Sequence, residues 1–337
     1  MKIKTSPSPN KTKNSVRFLL MVLSSLLALY IIYNVWSIML PSSSSQKEGF
    51  STKITNILSN QSQMPLIEYC IKASYNSAFN GKQISLEALD NVIQSGCRFL
   101  DFEIFSVNNV AVVGVSVDSD YRALISQNTM PFGKILEHLL SKCFYSSSIS
   151  PNSKDPLFIH LRIKTNCGLT NNKACDIYSQ VATALAQTTP VLYMDEITKE
   201  AKSVDGNTKL SQIAGKLIIC IDTALSGEYL SYAPGLSKFI NIETGNSKWS
   251  TFYYSDFLSM TPNILTVNSD MPMMAEPQNG VLELKMAKPD TQKNINNPES
   301  LSWIRTFGCQ TILYQFYKSD NGLVEYEKLF NYYKTAF

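Results

Sequence analysis

The chain has 337 residues, 44% hydrophobic and 17% charged, enough to bury a sizeable core as one large domain or two small ones. Its formal net charge of +3 is uneven: Lys2, Lys4, Lys11, Lys13 and Arg17 precede every acid, so the remainder is nearly neutral and has no nucleic-acid footprint. Two histidines exclude a histidine-rich metal centre, and seven scattered cysteines form neither a CxxC pair nor a zinc spacing.

Residues 1–17, basic and rich in Ser, Thr and Pro, predict a disordered tail. Residues 18–40 carry no charge and are rich in Leu, Ile, Val and Met, long enough to span a bilayer as a helix. Tyr30, Tyr33 and Trp36 crowd its later half, as at a membrane interface. A cleaved signal peptide is the competing reading. The apolar run exceeds the usual signal core and no small-x-small site precedes Pro41, which favours a retained anchor. The basic tail then stays cytoplasmic and the bulk of the chain lies across the membrane. Residues 41–63 are polar and Ser-rich, and read as a stalk. Asn60-Gln61-Ser62 within it is a glycosylation sequon if the compartment has the machinery. Cys167 and Cys175 are close enough in sequence to be bridged if that compartment is oxidising.

A globular domain is expected over 64–337, where short apolar runs alternate with amphipathic segments in the manner of β/α units. Strands are predicted over 66–73, 110–115, 156–164, 216–221, 238–242, 264–267 and 311–316. Helices are predicted over 85–94 and 132–143, from Leu86, Leu89, Val92, Ile93 and from Ile135, Leu136, Leu139, Leu140. Residues 166–175 and 271–280 read as loops or insertions.

The stretch that organises the domain is S-G-C-R-F-L-D-F-E-I-F at 95–105. On a strand, Asp101 and Glu103 share one face while Leu100, Phe102 and Ile104 share the other. Acids are seldom buried without a cation or donors to meet them. This face is either a solvated edge or the lining of a site, and the apolar opposite face favours the site.

Several motifs resemble the X region of phosphatidylinositol-specific phospholipase C: S-Y-N-S at 74–77, G-C-R-x-x-D-x-E at 96–103, and T-M-P-F-G-K-I-L at 129–136. D-P-L-F-I-H-L-R-I at 155–163 is similar to that family's next core strand, and I-A-G-K-L-I-I-C-I at 213–221 to the one after it. F-G-C-Q-T-I-L-Y-Q-F at 307–316 with D-N-G-L-V at 320–324 resembles the end of the Y region. The resemblance implies a distorted (β/α)8 TIM barrel with its site at the carboxyl ends of the strands, preceded here by one transmembrane helix. Family chemistry uses two histidines as charge stabiliser and general acid-base, with Ca²⁺ on an Asn and three carboxylates in the calcium-dependent members.

Carried over position by position, the departures matter more than the matches. The first histidine falls at Tyr75, with Asn76 retained as a ligand position. The paired acids are present but exchanged, as Asp101 and Glu103. The second histidine falls near Gly114 or Val115, where none stands, and the last acidic ligand falls at Arg162. On the 157–164 strand, Phe158, His160 and Arg162 share the face that the resemblance places inside the barrel. A guanidinium there is predicted to form an Asp101–Arg162–Glu103 ion cluster in place of the metal, so no cofactor is expected and Ca²⁺ binding is expected to be lost. No catalytic residue is assigned. His160 is the remaining candidate acid or base, although a lone strand histidine is more often structural. His138 reads as a surface side chain, Lys72 and Lys164 as solvated lysines, and Tyr75 as a hydrogen-bond donor to a phosphate oxygen. The implied protein is a membrane-anchored, catalytically silent barrel that works as a binding or structural module, with a phospholipid headgroup or phosphorylated small molecule as its ligand. The alternative is a divergent phosphoric diester hydrolase acting on phosphoinositides or glycerophosphodiesters.

Overall fold

The computed structural model describes residues 54–117, 123–145, 148–164, 176–259, 283–290 and 295–337. Among the described residues ten strands form one sheet: β1 (Ile71–Ser74), β2 (Phe99–Val107), β3 (Val110–Gly114), β4 (Met130–Pro131), β5 (Leu157–Ile163), β6 (Leu217–Asp222), β7 (Ile242–Thr244), β8 (Trp249–Tyr253), β9 (Leu284–Lys288) and β10 (Thr311–Tyr314). Eight of them run parallel in the order β7-β6-β5-β2-β1-β10-β9-β8, a nearly closed barrel, and β3 and β4 continue antiparallel from β2. Among the described residues the five longer helices are α1 (Leu86–Gln94), α2 (Phe132–Cys143), α3 (Asp176–Ala186), α4 (Ser300–Arg305) and α5 (Asn321–Tyr333), and three four-residue helices lie at Thr223–Ser226, Tyr229–Tyr232 and Pro234–Ser237.

Local chemistry sets most of these boundaries. Ser85 caps α1 by accepting from the Ala88 N–H at 3.1 Å, and Asp320 caps α5 by accepting from the Leu323 N–H at 2.9 Å. Asn108 and Asn109 both take positive φ (51° and 61°), the pattern of the tight turn that lets β2 fold back as β3. The alternating residues of β2 and β5 then divide between two layers. Leu100, Phe102, Ile104, Ile159, Leu161 and Ile163 pack outward with α1, α2 and α3. Phe99 and Phe158 stack inside the barrel, with ring centroids 6.0 Å apart. A third cluster, around Trp303, Tyr314, Tyr326 and Phe330, seats α4 and α5 against β10.

The sequence expectation of a parallel β/α barrel agrees with this architecture, and α2 has the predicted bounds. Other boundaries move. Residues 66–68 form a 3-10 turn rather than strand, because the Leu66 and Ile67 N–H groups donate to the Thr208 and Gly206 carbonyls; β1 begins only at Ile71. The strand expected over 238–242 contributes only Ile242 to β7. Leu236 and Phe239 are buried at helical rather than strand spacing, and Pro234–Ser237 is a helical turn. The short strands β8 and β9 and the helices α3 and α5 have no counterpart among the expected elements.

Residues 54–63, read from composition as the end of a stalk, lie against the barrel. Ile54 is buried, and Gly96 (φ +84°) leaves room for it, since a Cβ there would stand 2.9 Å from Ile54 Cγ2. The Thr55 N–H donates to Lys334 O and the Ile57 N–H to Asp155 Oδ1, both at 2.9 Å. The expected anchor at 18–40, the strand at 264–267, the loops at 166–175 and 271–280 and the Cys167–Cys175 pair lie outside the described residues. Among the described residues no helix is long and apolar enough to cross a membrane, and the five cysteines are free thiols.

Candidate functional site

Register builds the site. β2 and β5 pair so that Asp101 stands beside His160 and Glu103 beside Arg162, all on the inner face. The Arg162 guanidinium donates through Nε to Asp101 Oδ1 (2.8 Å), through Nη2 to Asp101 Oδ2 (2.8 Å) and Asn76 Oδ1 (2.6 Å), and through Nη1 to Glu103 Oε1 (2.9 Å). The predicted ion cluster is therefore present, with Asn76 as its fourth member. Asn76 follows β1 in a left-handed conformation (φ 45°), and its own N–H donates to Asp101 Oδ2 at 3.0 Å. Tyr75 lays its ring over the guanidinium, 4.4 Å from ring centroid to Arg162 Cζ.

The cluster continues outward on both sides. Glu103 Oε2 meets Lys164 Nζ at 2.9 Å and accepts from the Ser116 N–H at 3.1 Å. Asp101 Oδ1 is 2.8 Å from His160 Nδ1, and His160 Nε2 is 2.9 Å from Thr244 Oγ1. Across the barrel a second buried pair, Asp222 with Lys288 at 2.8 Å, links β6 to β9. Asp101 and His160 are 0% exposed, Glu103 and Arg162 1%.

Burial alone would raise the Asp101 carboxyl, but the Arg162 guanidinium and the hydrogen bond from His160 outweigh it and hold the group well below the usual carboxylate range. For Arg162 burial likewise works against the charge, and Asp101, Tyr75 and Glu103 more than restore it. Burial pushes the Tyr75 phenol well above its ordinary value, so it does not exchange protons near neutrality. Asp222 is lowered against its burial chiefly by Lys288.

Three sequence readings change. Lys72 is fully buried and paired with Glu327 of α5 at 2.8 Å, and Lys164 is nearly as buried beside Glu103; neither is a solvated lysine. Lys164 sits two positions from Arg162, so strand alternation already placed it on the inner face. His138 is not a free surface side chain: its Nε2 lies 2.6 Å from Asp90 Oδ1, which ties α2 to α1. Tyr75 faces a guanidinium rather than an open cavity. Thr244, Asp222 and Lys288 had no motif that could have marked them, since each arrives from a different strand.

The sequence resemblance implies Ca²⁺ at this place. The residues present do not fit it, because the oxygens of Asn76, Asp101 and Glu103 that would converge on an ion already converge on a guanidinium, whose charge repels a dication. Among the described residues no group of three or more His, Cys, Asp or Glu side chains could hold a metal.

The barrel shares its fold with solved phospholipase C structures. It is similar to PLC21 of L. pealei (13% identity over 80% of this chain, TM-score 0.54) and to PLC21 of S. officinalis (13%, 80%, 0.53). The chain spans 36% of the length of each of those proteins. A calcium-dependent phosphoinositol-specific phospholipase C from a Pseudomonas species aligns over 81% of this chain and 97% of its own, with 9% identity and a TM-score of 0.45. At these identities the likeness is one of fold. No protein-family model matches the sequence, and no curated protein matches it.

Proposed function

We propose that this chain is a membrane-anchored barrel of the phospholipase C-like phosphodiesterase fold whose hydrolytic site is filled by its own arginine, and that it works as a binding or structural module. The observation that carries this reading is the commitment of Arg162: four of its five N–H donors bond to three side chains, under a tyrosine ring, at 1% exposure. A phosphodiester would meet a guanidinium that is buried and already bonded through four of its five donors. Of the chain's two imidazoles, His138 belongs to a helix contact and His160 is bonded at both nitrogens. A general acid and base together contribute roughly 10²–10⁴-fold to such reactions. Residues 18–40 are the proposed anchor, with the basic tail cytoplasmic and the barrel on the opposite side. A phospholipid headgroup or phosphorylated small molecule is the proposed ligand class.

The competing reading is a metal-free phosphoric diester hydrolase that uses Arg162 and His160. In its favour stands the Asp101–His160–Thr244 chain, the order of groups that tunes an imidazole for proton transfer. Against it, all three residues are 0% exposed. The deciding assay offers phosphatidylinositol and glycerophosphodiesters to the full-length protein with and without Ca²⁺, and the expected result is no turnover above the blank. Turnover that vanishes in Arg162→Ala or His160→Ala would establish the hydrolase instead.

A further inference from the structure

The motif Asn60-Gln61-Ser62 sits not on a stalk but on a turn fastened to the barrel. The Ser62 N–H donates to Leu58 O at 3.0 Å, the Tyr69 hydroxyl to Gln61 O at 2.5 Å, and the Ser211 N–H to Ser62 O at 2.8 Å. Ile54 lies against Gly96, Ile57 is bonded to Asp155 and Ser62 to Ser211. Those three partners precede β2, β5 and β6, so the segment lies at the amino ends of the strands. Arg162 and Asn76 stand at the opposite, carboxyl ends of β5 and β1.

Within this fastened turn Asn60 is the residue left over. It is exposed, and among the described residues its side-chain amide has no hydrogen-bond partner. Leu58 and Met64 flank it and are 60% and 47% exposed, although the barrel has ample core to bury apolar groups. A bulky, solubilising group on Asn60 would shield that apolar surface.

We infer that Asn60 is the acceptor of one N-linked oligosaccharide. The inference rests on the membrane orientation proposed above, which puts the barrel on the side away from the cytoplasm. In the transfer, Asn60 Nδ2 bonds to the anomeric carbon of a sugar activated as a polyprenyl diphosphate. The bond from that carbon to the diphosphate oxygen breaks, the lipid diphosphate leaves, and the amide gives up one proton. The hydroxyl that the motif requires two residues on belongs to Ser62. In the folded chain Ser62 is 7% exposed and its hydroxyl donates to Ser59 O at 2.9 Å, so the transfer precedes closure of the turn. The chain has one other motif of this kind, Asn10-Lys11-Thr12, in the basic tail on the cytoplasmic side of that orientation, where it stays bare. A glycan at the amino ends of the strands leaves the carboxyl-end face uncovered.

The test translates the full-length protein in the presence of rough microsomes, which hold the transferase and the lipid-linked donor. The expected result is one step down in electrophoretic mobility, reversed by peptide N-glycosidase and lost in Asn60→Gln and in Ser62→Ala. Ser62→Thr keeps the hydroxyl and is expected to keep the step, and Asn10→Gln to change nothing. Glu196→Asn is the control: it completes a motif with Ile197 and Thr198 in another exposed turn of the barrel, and is expected to add a second step. A step from the Glu196→Asn motif with none from Asn60 overturns the inference and leaves the membrane orientation standing. A step lost in Asn10→Gln but not in Asn60→Gln, or no step even with Glu196→Asn, overturns the orientation and with it the assignment of Asn60.

Discussion

The wall made by β1, β2 and β5 and the seam between β7 and β8 are opposite outcomes of one construction. In the wall the ladder is continuous and in register, so Asp101, Glu103, His160 and Arg162 arrive at matching heights on neighbouring strands and satisfy one another. Among the described residues the ladder is interrupted at the seam, and polar atoms on β8 are left over: Trp249 Nε1 and, two residues on and facing the same way, Thr251 Oγ1, both buried without partners. Register therefore decides whether polar side chains close on one another or are buried unpaired. The wall holds the residues that the sequence resemblance marks as a site, and it is closed; the seam, which no motif marks, buries polar atoms without partners.

The largest expected effect comes from opening the wall. Arg162→Met leaves Asp101 and Glu103 buried without their shared cation and is expected to destabilise the fold by about 3–5 kcal/mol, as removal of one partner of a buried ion cluster does. Chemical denaturation of the full-length variant reads this directly. Adding Asp101→Asn and Glu103→Gln to Arg162→Met should recover part of the loss, since the uncompensated charges go with them. A loss below about 1 kcal/mol in the single variant would mean that the cluster is not the closed unit described. Arg162→Glu sharpens the point by reversing the charge at the centre. Its melting temperature is expected to rise with added Ca²⁺, because three carboxylates and the Asn76 amide then face one another, while the unaltered protein should not respond.

Next comes the pair that ties the sheet across its seam. Lys288 reaches from β9 to Asp222 at the end of β6, and Asp222 Oδ1 also accepts from the Ala224 N–H at 3.0 Å. Lys288→Met is expected to cost about 2–4 kcal/mol, somewhat less than Arg162→Met because that N–H still supports the carboxylate. Asp222→Asn combined with Lys288→Met should cost less than Lys288→Met alone. The same denaturation measurement decides both, and an additive result would remove the coupling.

How much of this was legible beforehand differs between wall and seam for a physical reason. Alternation on β2 and β5 lies in consecutive residues, so the shared face of Asp101 with Glu103, and of His160 with Arg162, follows from strand geometry, and opposite charges on facing sets predict the contact. Lys164 was equally legible, two positions beyond Arg162, but its charge suggested solvent. The Asp222–Lys288 pair spans 66 positions and joins residues with no motif around them, so only the closed topology brings them together. β8 and β9 are five residues each and mix polar with apolar side chains, which leaves a weak periodic signal. The seam itself is an absence of pairing, and an absence of pairing has no residue pattern.

The smallest effect contrasts two buried carboxylates of opposite sign. Asp101, lowered by Arg162 and His160 against its burial, favours folding above the ordinary carboxylate pKa of about 3.9, and that contribution is lost as pH falls. Asp155 lies outside the wall, beside the 54–57 segment. Its Oδ1 accepts from the Ile57 N–H at 2.9 Å, but its Oδ2 is buried without a partner. Burial pushes this carboxyl up to about 6. The folded chain then takes up the proton near pH 6 and the unfolded chain near pH 4, so between those values the folded state holds more protons and stability falls as pH rises. Asp155→Asn keeps an acceptor for Ile57 and removes the buried charge. It is expected to stabilise the fold at pH 7 by about 1–2 kcal/mol, less than the full shift implies because Arg98 loses a nearby negative charge. Between about pH 4 and 6 it should also flatten the dependence of stability on pH. Denaturant midpoints of the two proteins across that interval measure the effect. Parallel curves would show that the Asp155 proton does not distinguish folded from unfolded chain, and would leave the Ile57 hydrogen bond as this carboxylate's whole contribution.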